Sequence, residues 1–221
     1  MSGCTLQLTR NSALRTTLVD AASGHAKYQI DTPRRIARRM TRIKKLDSTE
    51  QYPIHLSDAD SDSDDDVTVI GESESKKGMD DGEEEDEAMT EVPEASDDVA
   101  RIYWNWFSSD KIVFQGKITT RSEFLPKCGK MKGSFVFTGP DGVQYRWAMG
   151  ALGMNYPKLV TADEKKEVIA EFHRAHYITK RKKARIEVQL AGMGMLDYIV
   201  LTFVFAEEKR RERERRTRSG G

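Results

Sequence analysis

The chain has 221 residues, 38% of them apolar, which is enough for one well-filled core, and its 36 basic and 36 acidic side chains give a formal charge of zero. That neutrality is a cancellation, because residues 47–98 carry 21 acidic and 2 basic side chains whereas the remainder carries 34 basic and 15 acidic. Two cysteines, Cys4 and Cys128, and no leader-like apolar segment argue against a disulfide-stapled secreted fold, so the expected compartment is cytoplasmic or nuclear. The longest apolar run, Tyr198 to Ala206, is about half of the roughly 20 residues that a membrane span needs, and no transmembrane segment is expected.

At the start, "CTLQLTR" and "HAKYQIDTP" alternate at a period of two and read as strands. "RRIARRMTRIKKL" is open between two readings. Ile36, Met40 and Ile43 fit an amphipathic helix, whereas Thr41, Ile43 and Lys45 fit one face of a half-buried edge strand. Residues 47–98 hold a single aromatic, Tyr52, and bury too little to offset the entropy of ordering; they read as a disordered acidic insert.

After the insert, Ile102, Trp104 and Trp106 lead through "SSD" to Ile112, Phe114 and Ile118, a β-meander. "SFVFTGPDGVQYRW" is the clearest unit: Phe135 and Phe137 alternate before the turn residues Pro140, Asp141 and Gly142, and Val143, Tyr145 and Trp147 alternate after them, so a hairpin is expected. "EKKEVIAEFHRAHY" is again ambiguous, since Val168, Ala170 and Phe172 alternate while its Glu and Lys content favours helix. "ARIEVQL" reads as a strand. In "LDYIVLTFVFAEEKRRERERR" the apolar part has no polar side, Asp197 suits a helix start, and Glu207 with Arg211 and Glu212 with Arg216 stand at i, i+4. A helix that enters the core and leaves as a basic tail is expected. The resulting layout is 1–46 as N-terminal strands, 47–98 as the insert, 99–208 as the remaining domain with a central helix over about 196–208, and 209–221 as a solvated charged tail.

"FTGPDGVQYRW", "EFHRA", "ARIEVQLAG" and above all "LDYIVLTFVFAEEKRRERER", with "YQIDTP" and "RIYW", resemble the domain-of-unknown-function family 6593 of basidiomycete fungi, over residues 4–45 and 99–216. That family is similar to the Tubby C-terminal-like fold. The resemblance implies a mainly β protein, a closed antiparallel β-barrel around an apolar C-terminal helix, with "EVIAEFHRAHY" as a strand and Leu196–Ala206 as the plug.

No catalytic set assembles from the sequence, and no metal, cofactor or enzymatic activity is expected. His173 and His176 stand three apart without a completing Cys or carboxylate cluster, and "GALG" and "AGMG" lack the remaining residues of a phosphate loop or dinucleotide fingerprint. Cys128 lies among three lysines but has no His or Asn partner in view, and reads as a loop thiol. Charge carries the functional signal. Arg34, Arg35, Arg38, Arg39, Arg42, Lys44 and Lys45 form one basic set, Lys180, Arg181, Lys182 and Lys183 a second, and Lys209–Arg218 a third. They make a candidate surface for anionic lipid or an acidic protein, with phosphoinositide-type head groups implied by the resemblance. Nucleic acid ranks lower because no aromatic residues are interleaved for base stacking.

Within the insert, Val67, Thr68, Val69 and Ile70 are an aliphatic run between acidic flanks. It resembles a SUMO-interacting motif, in which a short strand adds to the edge of a SUMO-like partner's sheet. Ser57, Ser61 and Ser63 each precede an acidic residue by three positions, as acidophilic kinase sites do.

Overall fold

The computed structural model describes residues 3–33, 39–46, 98–105, 109–126, 135–148, 157–175 and 183–219. Residues 47–97 of the insert, with Val67–Ile70, Ser57, Ser61 and Ser63, lie outside the described residues, as do Arg34, Arg35, Arg38, Trp106, Cys128, His176, Lys180, Arg181 and Lys182, whereas Asp98, expected in the insert, begins a strand.

Alternating residues build the first four strands, β1 (Cys4–Leu8), β2 (Thr16–Asp20), β3 (Ala26–Asp31) and β4 (Arg39–Lys45). In β4, Thr41 and Ile43 are buried and Arg42 is exposed, so the period of two wins over the helical spacing. β4 is not an edge strand, because it pairs with β3 on one side and with β5 (Asp98–Trp104) on the other. β6 (Lys111–Phe114) and β7 (Lys117–Thr120) complete the meander, joined by Gln115 and Gly116, both at positive φ as a tight hairpin turn requires. The expected hairpin is β8 (Val136–Thr138) and β9 (Gln144–Ala148), and β10 (Lys158–Thr161), β11 (Val168–His173) and β12 (Arg185–Val188) follow.

Among the described residues these twelve strands form one antiparallel sheet in the order β7-β6-β5-β4-β3-β2-β1-β12-β11-β10-β9-β8. Pairing of β1 with β12, Leu6 opposite Ile186, joins the beginning of the chain to its end. Lys44 stands opposite Asp98, so residues 47–97 connect two neighbouring antiparallel strands.

The sheet is open, with β7 and β8 as its edges, which corrects the expectation of a closed barrel. The chain itself supplies the reason. After β7, Thr120 begins α1 (Arg121–Phe124) through a capping box: its hydroxyl accepts from the Glu123 N–H, and Glu123 accepts from the Thr120 N–H at 2.9 Å. The chain directly after β7 is helical, so α1 stands at this margin where a further strand would have to bridge β7 and β8. On either side of the 127–134 connection, the Val136 N–H donates to the Pro126 carbonyl at 3.1 Å.

A helix takes the centre of the curled sheet. Leu190–Met195 form a short 3-10 helix, and α2 (Leu196–Ser219) continues from it. From Ile199 to Phe205 every residue is at most 1% exposed, so a run that is apolar except for Thr202 is explained by walls on every side. Phe203 packs on Trp147 of β9 and Phe172 of β11, at 6.3 and 4.9 Å between ring centroids, while Phe205 packs on Trp104 of β5 at 5.2 Å. Both margins of the opening reach Tyr198: Phe114 of β6 lies 4.7 Å away edge-on, and Phe124 of α1 and Phe137 of β8 stack on it at 6.4 Å. Aromatic rings thus cover the helix where strand pairing stops. Leu190–Arg216 is long and apolar enough in composition to cross a membrane, but 61% of its apolar window is buried within the protein, the position of a core helix.

β4 holds both ends of the buried part of α2. Lys45 Nζ lies 3.3 Å from Asp197 Oδ1, and Arg39 Nη1 lies 3.1 Å from Glu208 Oε1. Six residues of strand span about 20 Å and eleven of helix about 16 Å, so the two run side by side in opposite directions. Asp197 marks the entry end of the sheet and Glu208 its exit end.

Candidate functional site

α2 leaves the sheet through a collar of ion pairs. Glu207 is 3% exposed and receives Arg210 Nε and Nη2, both at 2.7 Å, and Arg211 Nε at 3.2 Å. Arg211 also donates to the Asn11 carbonyl at 2.8 Å, tying α2 to the β1–β2 connection. Glu208 takes Arg39, whose guanidinium lies over the Trp104 ring at 5.3 Å. Trp104 is anchored in turn by donating to Thr41 Oγ1 at 2.8 Å. Glu214 pairs with Arg174 at the end of β11 and with Arg210. Arg121 of α1 lies over Phe205 and pairs with Asp110 at 3.0 Å. Glu212 accepts from Lys209 at 3.0 Å, and this bond and the neighbouring positive charges hold its carboxyl below its ordinary value.

The charged half of α2 is therefore a helix built into the domain as far as Glu214, beyond the region where a solvated tail was expected to begin. Its glutamates engage part of the positive charge, but residues 207–218 still hold seven basic side chains against four acidic.

The described residues on either side of two further basic runs lie at the same end. Pro33 and Arg39 flank the run with Arg34, Arg35 and Arg38, and Ala175 and Lys183 flank the run with Lys180, Arg181 and Lys182. Arg39 and Arg174 contact α2 directly, and the Leu8 N–H donates to the Ala184 carbonyl beside Lys183 where β1 meets its exit-end connection. Strand direction thus places Arg39, Arg174 and Lys183, which bound those runs, at the end where α2 leaves the sheet.

The remaining candidates are elsewhere. Arg42 and Lys44 occupy the outer face of β4, where Arg42 stands opposite Arg101 of β5, and neither makes an ion pair among the described residues. Lys45 is engaged at the entry end by Asp197. The sequence reading missed Arg121 and Arg174, whose roles depend on contacts with α2 across long sequence separations.

The outer face of β10–β12 carries a second charged cluster. Glu171 and Glu187 stand directly opposite each other, an arrangement that repels, and Lys158, Arg185 and His173 surround them at 3.0, 2.7 and 3.3 Å from the nearest carboxylate oxygen. Arg185 is the main cause of the lowered Glu187 carboxyl. Among the described residues no group of three or more His, Cys, Asp or Glu side chains is placed to hold a metal ion.

No curated protein and no solved structure matches the chain. A family model does match, over residues 79–212, which include β5–β12 and most of α2 and leave β1–β4 outside the matched segment. With more than half of its length matched, and with the buried helix and its charged continuation inside the match, the chain belongs to the family of unknown function DUF6593.

Proposed function

We propose that the protein is a non-enzymatic binding module whose exit end takes anionic ligands, phosphoinositide-type head groups on a membrane surface being the best fit. One observation carries this reading: Arg39 of β4, Arg174 at the end of β11 and the basic side chains of α2, far apart in sequence, meet at the end where α2 leaves the sheet. Each basic side chain near an anionic leaflet contributes about 1 kcal/mol, so a cluster is effective where a single lysine is not. The arginines locked to Glu207, Glu208, Glu212 and Glu214 shape the surface, while Lys183 and its neighbouring run supply charge. A relation of this family, in its basidiomycete members, to Tubby C-terminal-like proteins is supported by an apolar C-terminal helix enclosed in twelve strands, here in an open sheet. The compartment in this reading is cytoplasmic or nuclear.

The test is sedimentation with phosphatidylcholine vesicles with and without phosphatidylinositol bisphosphate, using the full chain and a chain lacking residues 47–97. Binding that requires the anionic lipid and weakens with salt supports the reading; absence of binding by both chains at low salt ends it.

A second reading, an interaction scaffold working through the insert, is favoured by the connection between β4 and β5, which leaves the sheet intact whatever binds residues 47–97. Titration of a peptide of residues 55–76 with a SUMO-like protein tests it. Saturable binding lost when Val67, Val69 and Ile70 become Ala supports a motif, and further gain on phosphorylation of Ser57, Ser61 and Ser63 supports its regulation.

A further inference from the structure

We propose that Ser12 is a phosphorylation site whose phosphate is clamped by arginines of the exit end and closes that end to anionic ligands. The clamp stands on geometry; its effect on ligand binding rests on the proposed anionic-lipid reading and supplies a regulation for it. Ser12 lies in the connection between β1 and β2, residues 9–15, which reads "TRNSALR" and holds no acidic side chain. The residue is half-buried, but its hydroxyl makes no hydrogen bond among the described residues and is not one of their buried polar atoms, so solvent reaches it. Its surroundings hold it in place. Ala13 is 2% exposed, the Arg15 N–H donates to the Ser12 carbonyl at 3.3 Å, and Thr16 Oγ1 accepts from the Arg10 N–H at 3.2 Å.

Cations from three elements surround this connection. Arg10 and Arg15 stand two positions before Ser12 and three after it. Arg211 of α2 donates to the carbonyl of Asn11, the residue next to Ser12, at 2.8 Å, and Lys183 adjoins because the Leu8 N–H donates to the Ala184 carbonyl at 2.8 Å. Arg211 is shared with Glu207, whereas Arg10, Arg15 and Lys183 make no ion pair among the described residues. Arg39 and Arg121, by contrast, face Glu208 and Asp110. Unmatched positive charge therefore lies beside Ser12. Arginines on both sides of a serine complement a kinase whose peptide groove is acidic. In the reaction Ser12 Oγ attacks the γ-phosphorus of ATP, the bond from that phosphorus to the β–γ bridging oxygen breaks, ADP leaves, and the hydroxyl proton passes through the kinase's base to solvent. The product carries about −1.5 to −2 charge and three acceptor oxygens. Arg10, Arg15 and Arg211 supply guanidinium donors for them, and cations engaged in this way are withdrawn from a lipid head group.

Two preparations of the full chain test this. In one, the chain is treated with ATP and the catalytic fragment of protein kinase C, and phosphate is located by tandem mass spectrometry. Phosphate on Ser12, gone in Ser12→Ala, is expected, and its absence from Ser12 overturns the modification site. In the other, phosphoserine is installed at position 12 during translation. The thermal midpoint should rise by about 2–4 °C, a rise lost when Arg10→Met and Arg15→Met are added. Affinity for phosphatidylcholine vesicles containing phosphatidylinositol bisphosphate should fall at least about tenfold. An unchanged or lower midpoint overturns the clamp, and unchanged vesicle affinity overturns the closing of the exit end. If the unmodified chain itself ignores those vesicles, the lipid reading falls and takes that effect with it, while the midpoint still supports or overturns the clamp.

Discussion

Trp147 donates its indole N–H to Thr202 Oγ1 at 2.9 Å, joining the innermost ring of β9 to the middle of α2 in a region with no solvent exposure. Thr202 passes the bond on to the Tyr198 carbonyl at 2.7 Å. A polar residue in an otherwise apolar helix is thereby fully used, and it fixes the rotation of α2 against the sheet. Thr202→Val keeps the shape and leaves a buried indole N–H unpaired, which should cost about 1–3 kcal/mol. Urea unfolding should show a lower midpoint at an unchanged slope; an unchanged midpoint would mean that this bond does not hold the helix.

Burial separates the ion pairs of the collar. Glu207 and Arg210 have side chains 4% and 15% exposed, against 35% and 76% for Glu212 and Arg216. Removing Arg210 with Arg210→Met leaves a carboxylate almost without solvent, a loss of about 3–5 kcal/mol for a buried pair, eased here by Arg211. Arg216→Met should cost less than about 1 kcal/mol. Thermal or urea unfolding of the two variants provides the comparison, and equal losses would contradict the collar.

The Glu187 carboxyl is held below its ordinary value of 4.5 by its bond from Arg185 and by the charges of His173 and Arg185. A carboxylate with a depressed folded pKa contributes stability above its unfolded value, and that contribution is lost as pH falls through the folded value. Unfolding midpoints should therefore decline from about pH 5 to about pH 3 less steeply in Glu187→Gln than in the parent chain. An identical decline would show that the β11–β12 cluster does not favour the charged form.

Because β4 and β5 are neighbours, a chain without the insert should fold. Replacing residues 47–97 by a four-residue turn removes loop-closure entropy worth about 2 kcal/mol, so the midpoint should rise. A chain starting at residue 79 is the opposite case. It keeps the family-matched segment but strips the strand neighbours of β5 and β12, and should give insoluble or non-cooperative protein. Cooperative unfolding of that chain would show that β1–β4 are an accessory.

The strands were legible where local alternation decides. Phe135, Phe137, Tyr145 and Trp147 all point inward as the hairpin pattern requires, whereas Val143 is 43% exposed because it belongs to the turn. The buried helix was legible too, from an apolar run with no polar side. Closure of the sheet was not, since it depends on whether the first and last strands in space meet, and no local pattern reports that. One clue was present: Thr120 and Glu123 form a capping-box spacing that predicts a helix directly after β7. The exit surface was half legible. The arginines of α2 are plain in the sequence, but strand direction brings Arg39 and Arg174 to them and sets Arg42, Lys44 and Lys45 apart.

The most direct measurement is the salt dependence of equilibrium binding to vesicles containing phosphatidylinositol bisphosphate, for three chains: the parent, Lys180→Glu with Lys182→Glu and Lys183→Glu, and Arg42→Glu with Lys44→Glu. An exit-end surface predicts that the first variant loses at least about tenfold in affinity, or 1.4 kcal/mol, with a shallower salt slope, while the β4 variant stays within about threefold of the parent. Loss confined to the β4 variant, or no loss in either, would contradict it.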